Sequence, residues 1–504
     1  MNREDNRQEA DICLVIEGCY PFITGGVSSW VHRLIKTYEG EFTFYVVSLV
    51  AGVKTEEDMR YPKPDNVVDV LAMDITDYSE LKNVKVPSFS KKELKHILSS
   101  MSEKVCFDFM GGKLPEKQTA LLKDILYKYG YQFFKYFLNA EPGFEVLTEI
   151  YSYKHDDDGF INYYYNWRNI HLLVWRIFML IRDLPPARIY HAPGTGFAGF
   201  LCCLMTELHQ KASVITEHGI YMQERDMDLS VASWLKEDYL RDMWRDFYLG
   251  LTKFQYGTVT EIITLYNGNR LLAAEYGADA EKIQVIPNGI QIDRFEQARF
   301  PRLTGERQVM GIVGRVDSVK DIKTFINVVA LVKDSLPNVY AYIVGPKEED
   351  EGYFNECVAL TKLLKIEDYV EFTGPQDVVE YFKKFDVLLL TSVKEAMPLT
   401  VMEGMASGVP VVATRVGACE ELLNGSGEDK LGIAGYVATI MDSQDIAMKT
   451  IKILRDPELA NRMAQVGIQR IEKYYPEDIL EVSYREIYNR QLKINPETEC
   501  TVSS

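Results

Sequence analysis

The sequence predicts an α/β protein with two Rossmann-like domains, each built on a parallel sheet, and a helical insertion in the first. Length is one reason: 504 residues are more than one hydrophobic core usually holds, so two or three domains are expected. Alternation is another. Apolar runs that read as buried strands, such as residues 11–17 (DICLVIE) and 308–313 (QVMGIV), lead into a glycine-containing turn and then an amphipathic helix. The third is residues 386–421, DVLLLTSVKEAMPLTVMEGMASGVPVVATRVGACEE, which spell strand, loop, helix and strand at the length of a βαβ crossover.

Composition narrows the function. Apolar residues make up 47%, enough for two cores, and 74 acidic against 56 basic residues give a net charge of −18. That balance argues against nucleic acid or an anionic membrane surface as a charge-driven partner, but not against small phosphate ligands in a local basic pocket. The polar start MNREDNRQEADICLV has no signal-peptide core, and the apolar run 172–181 is interrupted or flanked by His171, Arg176 and Arg182. A soluble, cytoplasmic protein is expected. Eight scattered cysteines lack zinc-type spacing and read as reduced thiols, with Cys202 and Cys203 in a core.

In the first domain, residues 1–290, the strand 11–17 meets a turn holding Pro21 and the pair Gly25-Gly26. A helix follows at 27–38 with Ser28 and Ser29 in its first turn. Strand, glycine turn and helix together make an anion site out of unpaired amides and the helix dipole. Residues 42–50 are the next strand. Residues 51–165, charged and aromatic, read as an insertion without sheet, helical at 91–103 and 117–138. HDDDG at 155–159 reads as a loop rather than a metal site, because three successive acids do not share one face. A helix at 167–181, a short strand at 188–191, a small-residue turn and another helix come next, and the strand 212–217 ends in Thr216-Glu217-His218-Gly219. His218 lies just past the carboxyl end of a parallel strand, where open α/β sheets bind ligands, although a structural loop histidine reads equally well. Residues 220–228, with Tyr221, Glu224 and Arg225, read as an acceptor-side loop. Strands at 261–265 and 282–286, with a helix at 267–276 between them, lead to the turn Pro287-Asn288-Gly289-Ile290. A linker without periodicity covers 291–306.

In the second domain, 307–475, Arg315 and Lys320 follow the strand 308–313 and precede the helix around 324–332. There they suit a diphosphate, or are plain surface charges. Strands are expected at 338–344, 370–373 and 386–391. The loop 392–398 then enters a helix at 399–407 that Gly408 caps and Pro410 keeps from continuing, with a strand at 409–413 behind it. Glu395, the backbone of 396–400 and Glu403 line up along that helix start. They suit sugar hydroxyls, a diphosphate and a ribose diol in turn, or are solvated helix charges. Helices at 445–454 and from Asp456-Pro457-Glu458 follow, and a last helix, 476–494, is expected to cross back to the first domain ahead of a tail at 495–504.

Glu395 and Glu403 in an E-x7-E frame, with Ser392 before, Met397-Pro398 inside, Gly408-Val409-Pro410-Val411-Val412 after and Gly417 and Glu420-Glu421 beyond, are similar to the donor signature of family 4 glycosyltransferases, retaining enzymes of the GT-B fold. The Gly-Gly turn, the I-P-N-G run with Asp293 and Phe295, and the Arg–Lys spacing fit the same family. The resemblance implies two domains facing across a donor-binding cleft and a catalytic set of Glu395, His218, Arg315 and Lys320. It implies donor contacts from Gly25, Gly26, Arg315, Lys320, Glu395, Ala396, Met397, Pro398, Leu399, Thr400 and Glu403, with the backbone of Pro375 and Gln376 against the nucleobase. Lys320-Asp321 departs from the usual Lys-Gly and leaves that turn's geometry open. No metal and no cofactor are implied, the two cations standing in for a metal, and the UDP-sugar is a substrate. Taken together, EGCYPFITGGVSSWVHRLI, TEHGIYMQER, GIVGRVDSVKDIKTFI and TSVKEAMPLTVMEGMASG resemble most the cytoplasmic glycosyltransferases of Pel exopolysaccharide biosynthesis in biofilm-forming bacteria. That implies UDP-glucose as donor, a polysaccharide acceptor and an inner-membrane synthesis complex as partner. Another nucleotide sugar or acceptor, or a non-catalytic nucleotide-sugar-binding scaffold, stay open as alternatives.

Overall fold

Strand order is what places the functional loops of this chain, whose computed structural model describes residues 7–79, 123, 127, 130, 141–154, 159–299, 307–347 and 350–494. The chain divides into two units, one reaching Val285 and resuming at Tyr484, the other Ile286–Ser483. The first unit holds β1 (Ala10–Glu17), α1 (Gly26–Thr37), β2 (Phe44–Val50), β3 (Val67–Asp74), α2 (Glu141–Lys154), α3 (Phe160–Leu180), β4 (Ala187–Ala192), α4 (Phe197–His209), β5 (Ala212–Glu217), α5 (Tyr221–Val231), α6 (Asp238–Thr258), β6 (Glu261–Thr264), α7 (Asn267–Glu275) and β7 (Ile283–Val285). Its strands lie in the order β3-β2-β1-β4-β5-β6-β7, all pairings parallel.

The second unit holds α8 (Ile292–Glu296), β8 (Gln308–Val313), α9 (Ile322–Ser335), β9 (Val339–Val344), α10 (Glu351–Leu363), β10 (Val370–Gly374), α11 (Val378–Phe382), β11 (Val387–Leu390), α12 (Leu399–Ala406), β12 (Val411–Thr414), α13 (Cys419–Asn424), β13 (Gly435–Ala438), α14 (Ser443–Arg455) and α15 (Pro457–Tyr474). Its order is β10-β9-β8-β11-β12-β13, again parallel. The last helix, α16 (Glu477–Ile494), starts in the second unit and passes into the first at Tyr484. The expected fold class, two parallel-sheet Rossmann-like domains, is therefore observed.

Covered parallel strands read as unbroken apolar runs because helices lie on both faces. All seven residues of β2 are buried, and so are all four of β11 and of β12. The helix α4 buries residues nearly all round, Cys202 and Cys203 among them, because it packs on the sheet on one side and under α3 and α6 on the other. Inside the first unit α16 is anchored by polar contacts. Tyr488 Oη lies 2.7 Å from His191 Nδ1, and Thr216 Oγ1 joins His191 Nε2 at 2.9 Å and Tyr484 Oη at 2.7 Å.

Three expectations need correction. Residues 67–74 were read as insertion without sheet, yet β3 pairs with β2 over Phe44 to Val50. It is an edge strand with Asp69 and Asp74 on it and only Val67 and Met73 buried, so it lacks the continuous apolar run that marked the others. Residues 220–228 are helical rather than a loop, the start of α5, whose sparse buried side chains blur the period. The linker carries a short helix, α8, that packs Phe295 inside. The helix expected at 91–103, the helix expected at 117–138 apart from residues 123, 127 and 130, most of HDDDG, Cys106, Cys500 and the tail lie outside the described residues. Among the described residues no helix is long and apolar enough to cross a membrane.

Two glycines hold the second sheet's strand ends together. Gly345, at φ 150°, packs on the Gly314 carbonyl so closely that a side chain there would run into it. Gly345→Ala is expected to lower second-unit stability by about 2–4 kcal/mol through backbone strain and displacement of the β8–α9 loop, measured by denaturant titration.

Candidate functional site

Each sheet reverses its strand order once in a way that opens a crevice: between β1 and β4 in the first unit and between β8 and β11 in the second. The crossovers on either side of such a point leave on opposite faces, so the loops after the two strands diverge and leave room for a ligand.

In the second unit, the loops after β8 and β11 bring together Lys320 and Glu395. Lys320 Nζ donates to Glu395 Oε1 at 2.5 Å, with side chains 18% and 15% exposed. Ser392 Oγ donates to the same carboxylate oxygen at 2.7 Å. Arg315 reaches Asp317 Oδ2 at 3.3 Å, and Asp317 Oδ1 accepts the Lys320 backbone N–H at 2.9 Å. So one chain of ionic and hydrogen bonds runs from the half-exposed Arg315 to Ser392. The Glu395 carboxylate takes a cation and a hydroxyl.

Backbone devices fix these loops. Asp321 takes the left-handed conformation, φ 47°, that the usual glycine would take, and its side chain accepts the Thr324 N–H as N-cap of α9. Aspartate tolerates that conformation better than most residues, which resolves the departure from Lys-Gly. Thr391 Oγ1 donates to the Lys320 and Asp321 carbonyls. Gly417, at φ 49°, lies so close to the Glu395 and Ala396 carbonyls that any side chain would push the loop away.

The remaining second-unit candidates are spread more widely. Met397 and Pro398 are buried, and Met397 Sδ accepts the Asn288 N–H at 3.4 Å, tying the Pro-Asn-Gly turn to the loop. Ala396 and Thr400 are half-buried and Leu399 is 37% exposed. Glu403 lies one turn after Thr400, its pKa raised to about 6 by burial against the opposing charge of Arg294. Pro375 and Gln376 are exposed after β10, the edge strand, with β9 and β8 lying between it and β11.

In the first unit a cavity of about 380 Å³ opens at the β1/β4 reversal, lined by Glu17, Cys19, residues 24–28, Pro193, Gly194 and Thr195 among others. Gly25 and Gly26 border it. Gly25 is extended, φ 168°, and a Cβ at either glycine meets nothing within 4 Å, so neither the backbone nor the packing demands them. What the pair preserves is open space beside the uncapped N-terminus of α1. Glu17, exposed at the end of β1, accepts the Phe197 N–H at 2.9 Å at the start of α4. Behind the cavity, Glu217 is fully buried and accepts from Tyr256 Oη at 2.7 Å and Thr195 Oγ1 at 3.0 Å. Desolvation pushes its pKa up to about 7.

His218 packs edge-on against Trp30, ring centroids 4.6 Å apart, with Nε2 enclosed and unbonded. Burial, with Arg33 next in effect, lowers its pKa to about 4, so the ring is neutral at ordinary pH. Tyr221 is buried beneath Arg225, which pairs with Asp228 at 2.8 Å, and Glu224 lies beside Gly219. Gly25, Gly26, His218, Tyr221, Glu224 and Arg225 thus belong to the first unit, and the other candidates to the second. Glu17, Glu217, Asp317, Ser392 and Gly417 were given no site role in the sequence. Ser392 and Gly417 carried a signal as flanks of the E-x7-E motif, and Glu17 and Glu217 as carboxylates closing apolar strands.

Comparison with known proteins follows this division. Residues 10–281 match a domain of unknown function, DUF3492, and residues 293–470 match the glycosyl transferases group 1. N-acetyl-alpha-D-glucosaminyl L-malate synthase of Bacillus anthracis is 34% identical over 140 residues, 28% of this chain. The chain spans only 35% of that relative's length. Among solved structures, sucrose-phosphate synthase of Thermosynechococcus elongatus superposes with a TM-score of 0.57 at 15% identity, covering 96% of this chain and 100% of its own. HepE of Anabaena, solved in complex with UDP, gives 0.56 at 14% identity over 95% and 99% of the two chains. These structural likenesses are of fold, and the fold is GT-B.

Because Glu217 binds its proton more tightly folded than unfolded, its stabilisation is complete below its ordinary pKa of 4.5 and is lost as pH rises through about 7. The loss is expected to be about 3 kcal/mol. Glu217→Gln keeps an acceptor for Tyr256 and should flatten that part of the stability profile. Denaturant titrations of both proteins between about pH 4.5 and pH 8 measure the difference.

Proposed function

The chain belongs to the DUF3492 family through residues 10–281 and carries a group 1 glycosyl transferase domain at 293–470, and on that premise we propose that it transfers a sugar, with retention, from a UDP-sugar to a growing polysaccharide. UDP-glucose is the donor that the motifs favour, and Pel-type exopolysaccharide the product, made on the cytoplasmic side beside an inner-membrane synthesis complex. The observation that carries the reading is the Arg315–Asp317–Lys320–Glu395–Ser392 chain at the strand reversal of the second sheet. Support for the nucleotide comes from HepE, whose solved complexes contain UDP and UDP-glucose.

In this reading the second unit holds the donor. Its diphosphate draws Lys320 and Arg315 from their acid partners, and the two cations offset charge developing on the leaving group, the task a metal performs elsewhere. Glu395, released from Lys320 but still held by Ser392, accepts from hydroxyls of the sugar. Glu403, half-buried on α12, serves the ribose diol. The acceptor oxygen bonds to the anomeric carbon on the face that the diphosphate leaves. The carbon–oxygen bond to the phosphate breaks with its electron pair going to UDP, and the acceptor proton passes to the departing phosphate. His218, neutral and unbonded at Nε2, supplies a hydrogen-bond donor or acceptor rather than a charge.

Calorimetry with UDP, GDP and ADP, then UDP-glucose, UDP-N-acetylglucosamine and UDP-N-acetylgalactosamine, with and without magnesium, tests this. UDP is expected to bind without magnesium, and UDP-glucose to be preferred among the sugars. Arg315→Ala and Lys320→Ala should each weaken UDP by about 1–3 kcal/mol. Glu395→Ala should spare UDP, because it frees Lys320 for phosphate, while weakening UDP-glucose. Unchanged UDP affinity in both cation variants, or equal losses of UDP and UDP-glucose in Glu395→Ala, would remove the basis for the assignment.

A further inference from the structure

We propose that Arg470, a fully buried arginine on α15, is a positioning residue for Glu395: it holds one end of α13, and the other end of α13 seats the backbone of the Glu395 loop. What Glu395 does for a sugar rests on the donor reading above. The contacts that position it do not.

Arg470 is 0% exposed, although an arginine stays charged. Its guanidinium joins three segments. Nε bonds the Asp429 carboxylate, Nη1 donates to the Leu422 and Leu423 carbonyls at 3.2 and 2.9 Å, and Nη2 donates to the Gly432 carbonyl at 2.6 Å. Leu422 and Leu423 lie in the last turn of α13, where a helix leaves its carbonyls without partners of its own. Stability alone does not call for an ion here, since a buried ion pair is commonly no better than a well-packed apolar residue. What a planar fork of five donors supplies, and an apolar chain cannot, is a fixed place for several backbone segments at once. The chain leaves room for it. Gly425, at φ 79°, follows α13, and a Cβ there would lie 2.8 Å from the Asp429 carboxylate and 2.9 Å from the Arg470 guanidinium.

From Arg470 a run of backbone bonds leads to Glu395. The Leu422 carbonyl accepts from the arginine, and the Leu422 N–H donates to the Ala418 carbonyl at 2.9 Å. The Ala418 N–H donates in turn to the Ala396 carbonyl at 2.7 Å, and Ala396 is the residue after Glu395. Peptide groups in such a run polarise one another, so each bond strengthens the next. Beside it, Gly417 lies against the Glu395 and Ala396 carbonyls. With six residues α13 is too short to be stable by itself, so what it touches at its two ends decides where it lies. One end meets the Glu395 loop and the other meets Arg470. A shift at Leu422 therefore moves Ala418, and with it the peptide next to Glu395, whose carboxylate bonds Lys320 and Ser392.

Arg470→Lys keeps a cation for Asp429 but has no fork to hold the α13 carbonyls as well. Calorimetry with UDP and UDP-glucose gives the preference for the sugar nucleotide as a ratio of affinities. In Arg470→Lys that ratio is expected to fall at least about threefold, and when the change is added to Glu395→Ala the ratio should move by less than about 1.5-fold. A plain loss of stability lowers both affinities together and leaves the ratio alone. Gly425→Ala crowds the same ion pair, should act in the same direction, and takes the place of Arg470→Lys if the lysine variant does not fold. Hydrogen exchange without nucleotide reads the link directly: the amides of 417–423 are expected to exchange at least about tenfold faster in either variant. A ratio unmoved in a folded variant, a fall just as large in the Glu395→Ala background, or unchanged exchange would overturn the proposal. A wild-type protein that binds UDP-glucose no better than UDP sinks the donor reading instead, and the exchange rates then decide the positioning by themselves.

Discussion

A parallel sheet that grows outward from its middle must send successive crossovers over opposite faces at the point where the order reverses, and the loops that follow those two strands part. That constraint acts twice here, at β1/β4 and at β8/β11. In the first unit it leaves Glu17, the Gly25-Gly26 turn and residues 193–195 around a cavity. In the second it sets the loop of Arg315 and Lys320 against the loop of Ser392 and Glu395. Every candidate group in these two places sits on a segment that a buried strand delivers and a helix start receives.

The two centres solve the cost of charge differently. In the second unit the ions are paired in advance: Lys320 with Glu395, Arg315 with Asp317. Pairing keeps partly buried charges from being left uncompensated, and it makes phosphate binding an exchange of partners rather than a simple addition. Exchange requires that the loops hold still while the ions move. Gly417 and the left-handed Asp321 do that through the backbone, and Thr391 through the carbonyls it bonds. In the first unit the polar interior is mostly neutral. His191 and His218 are held uncharged by burial, and Glu217 titrates near neutrality among hydroxyl donors. The phenols of Tyr484 and Tyr488 fasten α16 into that interior with hydrogen bonds, and Arg485 and Arg490 add ion pairs to Glu41 and Glu261 at the surface.

The fold class and most strands were legible in the sequence because parallel strands covered on both faces are written as unbroken apolar runs, and glycine turns mark their ends. Residues 212–217 and 308–313 match the observed strands β5 and β8 end to end. β3 escaped because an edge strand with exposed aspartates has no such run. The short helix α8 escaped because five residues are too few to show a period. The resemblance of the motifs to family 4 enzymes singled out Glu395, Lys320 and Arg315. Their mutual contacts, however, join positions 75 residues apart, as Lys320 and Glu395 are, and no local pattern encodes such a pairing.

By itself the sequence determined the alternation of strand and helix, the two glycine-marked turns and the residue types that suit a nucleotide sugar, since each of these is a property of neighbouring residues. Only the tertiary structure decided that Glu395 bonds Lys320 and Ser392, and that Gly417 keeps the Glu395 loop in place. Only it decided that Gly25 and Gly26 guard open space rather than a strained backbone, and that Glu17 and Ser28 share one cavity. The reason is physical. Hydrophobic period and turn chemistry act over a few residues, whereas a site is made by strand order, which brings the ends of distant strands together and sets what each side chain meets there.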